Sequence, residues 1–167
     1  MGADDHRSKA PKSVKVAIIT VSDTRSEKDD LSGKAISETL AAAGHTIVRK
    51  DIVKDNQEQI RAALRGLIED ANVQAVIMNG GTGVSLRDVT LESVHDFEEK
   101  QLPGFGELFR MLSYEEIGSA AIMSRAAAFV TEGKVVFCLP GSEKAVRLAT
   151  TKLIAPELGH LVWEARR

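Results

Sequence analysis

Three short segments of this chain hold most of the residues whose types and spacing can do chemistry. The first is Gly80-Gly81-Thr82-Gly83-Val84-Ser85-Leu86-Arg87-Asp88. Its glycines let the backbone take positive φ and approach a ligand closely. Successive amides in such a loop form a concavity that holds an anion, and Thr82 and Ser85 add hydroxyl donors. No Gly-Lys-Ser/Thr follows, so this is not a P-loop, and the G-x-G-x-x-G dinucleotide spacing fails as well. A plain tight turn explains the same residues. The second segment is Ser22-Asp23-Thr24-Arg25, and the third is Pro140-Gly141-Ser142. Asp55 and Asp88 are carboxylates suited to holding Mg2+ against phosphate oxygens. Each also has a structural reading: Asp55 as a helix cap, Asp88 as a cap or a local partner of Arg87. Asp23, Asp29 and Asp30 are further acidic candidates, read mainly as solvated loop charges.

The elements that must position these residues follow from patterning. Residues 14–21 are rich in β-branched side chains and near-continuously apolar, as in a strand buried on both faces. Leu31, Ala35, Ile36, Leu40 and Ala43 share one helical face, and Gly44 stands where a C′ glycine belongs. A second strand over 45–53 alternates more and lies nearer an edge. Asp55 or Asn56 caps a helix running to about Ala71. A third strand, Val73 to Met78, runs straight into the glycine loop. Residues 90–132 read as a mixed region with a Pro-Gly-Phe-Gly turn and two or three helical pieces; its apolar stretch 119–130 suits core or interface. A fourth strand, Lys134 to Leu139, ends at Pro140, and a last helix bends at Pro156. This alternation predicts a three-layer α/β/α sandwich with a mostly parallel sheet. In such sheets ligands bind beyond the carboxyl ends of the strands, which brings these three segments, and Asp55 after the second strand, to one rim.

Composition narrows the class. Of 167 residues, 43% are hydrophobic and 28% charged, with a net charge of -2. This suits one domain over residues 13–167 behind a disordered tail at 1–12. The balance lacks the basic excess of a nucleic-acid binder, and no apolar run approaches a membrane span. The N-terminus has no signal-peptide core, so the expected location is cytoplasmic. Cys138 is the only cysteine and reads as a small buried hydrophobe. His6, His45, His95 and His160 show no ligand spacing. Lys144 and Arg147 form an exposed helix face or attract an anionic tail.

Taken together, the motifs resemble the MoaB/MogA-type molybdenum-cofactor biosynthesis proteins, a family related to the plant Cnx and gephyrin G-domains. The matching segments run in order through Thr20-Val21-Ser22-Asp23-Thr24, Asp30-Leu31-Ser32-Gly33 and Gly80-Gly81-Thr82-Gly83 with Arg87-Asp88-Val89-Thr90. They continue through Pro103-Gly104-Phe105-Gly106-Glu107, Ser124-Arg125 and Leu139-Pro140-Gly141-Ser142. MoaB-type members are the nearest match. The resemblance implies a protein that binds molybdopterin and adenylylates it with Mg-ATP, releasing pyrophosphate, before a downstream protein inserts the metal. It implies Asp55 and Asp88 as the two important carboxylates. It also implies Gly80 to Gly83 and Ser22 to Thr24 as ligand-binding loops, and Pro140 to Ser142 near the pterin phosphate. Homotrimers, or hexamers of two trimers, are implied as well. A non-catalytic molybdopterin carrier or scaffold is the competing reading, although only the enzyme needs both aspartates. Leu91 departs from the family pattern, where many relatives carry proline.

Overall fold

The computed structural model describes residues 8–167. Residues 1–7 of the expected tail lie outside the described residues. From there the chain comes in against the last helix, where Pro11 packs on Gly159. The elements are β1 (Lys15–Val21), α1 (Leu31–Ala42), β2 (Thr46–Val53), α2 (Gln57–Glu69), β3 (Ala75–Asn79), α3 (Thr90–Val94), β4 (Lys100–Gln101) and α4 (Pro103–Ile117). A 3-10 segment (Gly118–Met123) leads into β5 (Ala127–Thr131), β6 (Lys134–Leu139), α5 (Glu143–Ala149), a π-helical segment (Thr150–Ile154) and α6 (Ala155–Ala165).

These strands form one six-stranded sheet in the order β2-β1-β3-β6-β5-β4. β2, β1, β3 and β6 run parallel. Alternation along the strands explains the three layers, because neighbouring side chains point to opposite faces. Val16, Ile18, Ala75, Ile77, Val135 and Phe137 face a core closed by α1, α4, α5 and α6. Ala17, Ile19, Val76, Met78, Val136 and Cys138 face a second core under α2 and α3. Both faces are covered, so the central strands have no polar side, as a parallel sheet requires. The expected α/β/α sandwich is what forms.

Two expectations need correction. The region 90–132 contains strands as well as helices: β5 pairs antiparallel with β6, and β4 with β5. The hairpin turns at Glu132 and Gly133, both at positive φ (46° and 71°), the twist that lets two strands return directly. The apolar stretch 119–130 is accordingly split: Ala126, Ala128 and Phe129 are buried, whereas Ile122 and Met123 are exposed. In the last helix, the irregularity is the π-helical segment before Pro156, and the proline itself sits in the first turn of α6. There its missing N–H costs nothing. Among the described residues, no helix is long and apolar enough to cross a membrane.

Candidate active site

The parallel strands β1, β2, β3 and β6 deliver their carboxyl ends to one rim, with Thr20 beside Asn79 and Asn79 beside Leu139. Each strand passes there into a segment singled out above. The glycine loop leaves β3 with Gly80 at φ 97° and Gly81 at φ 68°. A Cβ on Gly80 would run into the Val21 carbonyl, and one on Gly81 into the Thr90 hydroxyl. The loop is therefore pressed between β1 and α3, and only glycine fits. Thr90 pins it, donating its hydroxyl to the Gly80 carbonyl (2.8 Å) and its amide to the Gly81 carbonyl (3.0 Å). Thr82 is buried. From the opposite side the Arg125 guanidinium donates to the carbonyls of Gly83 (2.8 Å) and Asp88 (3.2 Å). Glu92 holds that guanidinium, which keeps the Glu92 carboxyl below its usual range. Nothing local in sequence signals this clamp, because Arg125 and Gly83 are 42 residues apart.

The structure gives each of the five acidic candidates a defined place. Asn56, not Asp55, caps α2, accepting from the Gln59 amide at 3.0 Å. Asp55 is thereby released from structural duty. It is half-buried, with Oδ1 3.3 Å from the position of a Cβ on Gly81. Burial pushes its carboxyl up, and so do the charges of Asp23 and Asp88; the Asp23 amide and Arg87 offset part of this. Asp88 accepts from the Ser85 amide (2.9 Å) and is neither the cap of α3, which is Val89, nor the partner of Arg87. Arg87 instead reaches back to Asp23 and holds that carboxyl below its usual range. Asp23 also accepts the Asp55 amide (3.1 Å), so the carboxylate of this exposed loop residue also ties Arg87 to the end of β2. Asp30 caps α1 through the Gly33 amide (3.0 Å) and accepts the Thr20 hydroxyl (2.7 Å), while Asp29 accepts from Ser26.

The Pro140-Gly141-Ser142 segment is tied to the first loop by Arg25. Its guanidinium donates to the Gly141 carbonyl (2.8 Å) and the Ser32 hydroxyl (3.0 Å), and Ser32 donates to that same carbonyl (2.5 Å). Ser22 turns the first loop by accepting the Arg25 amide (3.1 Å), with Thr24 exposed beside it. Ser142 caps α5. A cleft of about 440 Å3 opens here, walled by Gly80 to Gly83, Asp88 and Pro140 to Ser142. Its far wall is Phe109, Ser113 and Ile117 of α4, with Met123 and Ser124 beyond. Sequence reasoning missed that wall, since a helix face declares its neighbour only once the chain has folded. Asp55 and Ser22 to Thr24 do not line it; Asp55 lies against Gly81.

The remaining candidates lie elsewhere. Cys138 is fully buried and its thiol is pushed up to about 12, so it supplies no nucleophile. Arg147 pairs with Glu143 and Glu38, and Lys144 with Glu116, which leaves an ordinary charged helix face.

A family model described as "Probable molybdopterin binding domain" matches residues 17–160. "Molybdenum cofactor biosynthesis protein B" of Halalkalibacterium halodurans is 50% identical over 165 residues, 98% of this chain and 97% of that one. A crystal structure of a molybdenum cofactor biosynthesis protein B superposes with TM-score 0.91 at 50% identity, covering 95% of this chain and 99% of that one. The tungsten cofactor synthesizing protein MoaB of Pyrococcus furiosus superposes at 0.86 with 39% identity, covering 95% of this chain and all of its own (100%). A match this complete establishes that the chain belongs to the molybdopterin-binding domain family of molybdenum cofactor biosynthesis proteins.

Proposed function

We propose that this protein binds molybdopterin in the cleft and transfers the adenylyl group of ATP to it. The observation that carries the reading is the pairing of two unlike surfaces. One is a cleft with apolar side chains on its α4 wall, suited to a flat heterocycle. The other is the clamped glycine loop, with Asp55 against Gly81 and Asp88 against Gly83. Among the described residues, no cluster of three or more His, Cys, Asp or Glu side chains can hold a metal ion alone. That donor set fits Mg2+, which is bound through one or two carboxylates with substrate phosphates and water completing its shell. Burial raises the Asp55 carboxyl first, and the charges of Asp23 and Asp88 add to it; a cation would relieve the charge part.

In this reading Asp55 and Asp88 hold Mg2+, which neutralises triphosphate charge. The pterin phosphate attacks the α-phosphorus in line; one P–O bond forms, the bond to the β-phosphate oxygen breaks, and pyrophosphate leaves. The loop amides and Ser142 position the phosphates, and Arg25 holds the Gly141 turn against the first loop. Positioning and charge stabilisation supply the catalysis, with no covalent role for the protein. The product is the substrate of a downstream metal-insertion protein. Homotrimers or hexamers complete the picture.

Incubation with molybdopterin, Mg2+ and ATP tests it. Adenylyl-molybdopterin and pyrophosphate are the expected products. In Asp88→Asn turnover falls on the order of 10²–10³-fold while pterin binding stays. Pterin binding without turnover in the wild type favours the carrier or scaffold. Full turnover in the variant removes Asp88 from its role.

A further inference from the structure

Unlike Arg25 and Arg125, which are half-buried against backbone carbonyls, Arg87 is an exposed cation of the rim. It stands on the most exposed stretch of the glycine loop: its side chain is 74% exposed, and the neighbouring Leu86 is fully solvated. Its partner Asp23 is only 28% exposed and is fixed from behind by the Asp55 amide. One long, solvated arm is thus tethered to a carboxylate that accepts the Asp55 amide, beside an Asp55 carboxyl that also feels the charge of Asp88. An ion pair this exposed contributes little stability, of order 0–1 kcal/mol. Its placement therefore calls for another reason.

We propose that Arg87 is a nucleotide-phosphate ligand that the free protein parks on Asp23, where it stands in for the divalent cation until the nucleotide arrives. This rests on the adenylyl-transfer reading of the site. The neighbouring carboxylates repel one another, and of the cations near them Arg87 is the one hydrogen-bonded to Asp23. A metal ion bringing two charges to Asp55 and Asp88 takes over that neutralisation. Arg87 is then released, and its planar fork matches the oxygens of the incoming triphosphate. The backbone need not move, because only an exposed side chain swings. Arg87 thereby couples metal and nucleotide binding: it competes with the first and attracts the second.

This coupling gives a sign pattern that structural damage cannot imitate. In Arg87→Gln, Mn2+ alone, titrated into the full-length protein by electron paramagnetic resonance, binds several-fold more tightly. ATP titrated in EDTA binds at least ten-fold more weakly. Arg87→Lys keeps the charge without the fork, so it restores the wild-type Mn2+ affinity and only part of the ATP affinity. Parallel weakening of both ligands in Arg87→Gln would overturn the proposal and make the ion pair a structural latch. Unchanged affinities would overturn it too. Failure of the wild type to bind ATP at all, with or without Mn2+, would instead sink the adenylyl-transfer reading itself.

Discussion

At the scale of single residues, the site is a set of charges held in positions they would not choose alone. Asp55 shows this most directly. Burial and its acidic neighbours raise its carboxyl above the ordinary 3.8. A raised acid pKa means the native state holds the proton more tightly than the unfolded chain does. That contribution to stability is complete below 3.8 and is lost as pH rises through the native value. Ionised Asp55 is thus a liability at neutral pH, retained for what it binds. Asp55→Asn should raise Tm slightly at pH 7, by about 1–2 °C at most, because solvent screens a charge that is only half-buried. The advantage should shrink toward pH 3.5, while Mg-ATP turnover is lost; a variant less stable than wild type at pH 7 would contradict it. The carboxylates could be picked from the sequence because strand ends advertise themselves. Their roles could not. Asn56 beside Asp55 and Ser85 near Asp88 decide which aspartate is spent on the backbone, and that is settled by angles at the loop, not by residue type.

At the scale of elements, the central strands were legible because doubly buried strands are continuous runs of β-branched residues. The glycine loop was legible because positive φ selects glycine. The edge hairpin was not. β4 has two residues, and β5 begins with alanines that suit a helix equally well. The usable cue was Glu132-Gly133 immediately before β6, a two-residue turn of the kind that reverses antiparallel strands. The consequence reaches the site, since Arg125 enters it from the segment just before β5, so the clamp on Gly83 depends on that hairpin. The loop itself is the sharper test of element-scale reasoning. Gly80 lies at φ 97° with no room for a Cβ beneath the Val21 carbonyl. Gly80→Ala therefore adds backbone strain to a clash with a fixed strand. A loss of about 2–4 kcal/mol is expected, lowering Tm by about 5–10 °C, together with weaker pterin binding. An alanine variant of wild-type stability in a chemical-denaturation curve would mean that the loop is not pressed against β1.

At the scale of the whole molecule, one face is unlike the rest. Met111, Tyr114 and Ile117 recur at i, i+3 spacing on α4, and Ile122 and Met123 follow on the 3-10 segment after it; all are about half exposed or more. Scattered exposed apolar side chains need no explanation, but a contiguous set on one face marks an interaction surface. The trimers or hexamers proposed for this chain would cover it with a second copy. This face is also continuous with the cleft, because Ile117 and Met123 belong to both. Assembly would then close the apolar end of the cleft, and a monomer would leave the pterin wall open to water. Ile122 is 82% exposed, so aspartate there costs the fold little, within about 0.5 kcal/mol. Ile122→Asp should lower the mass seen by light scattering to that of one chain while Tm of the monomer stays near its starting value. Pterin affinity should fall with the mass, although Ile122 itself lies outside the cleft wall. An unchanged mass would place the subunit contact elsewhere. A monomer with undiminished pterin affinity would show instead that each chain completes its own cleft, and the apolar face would then serve assembly alone.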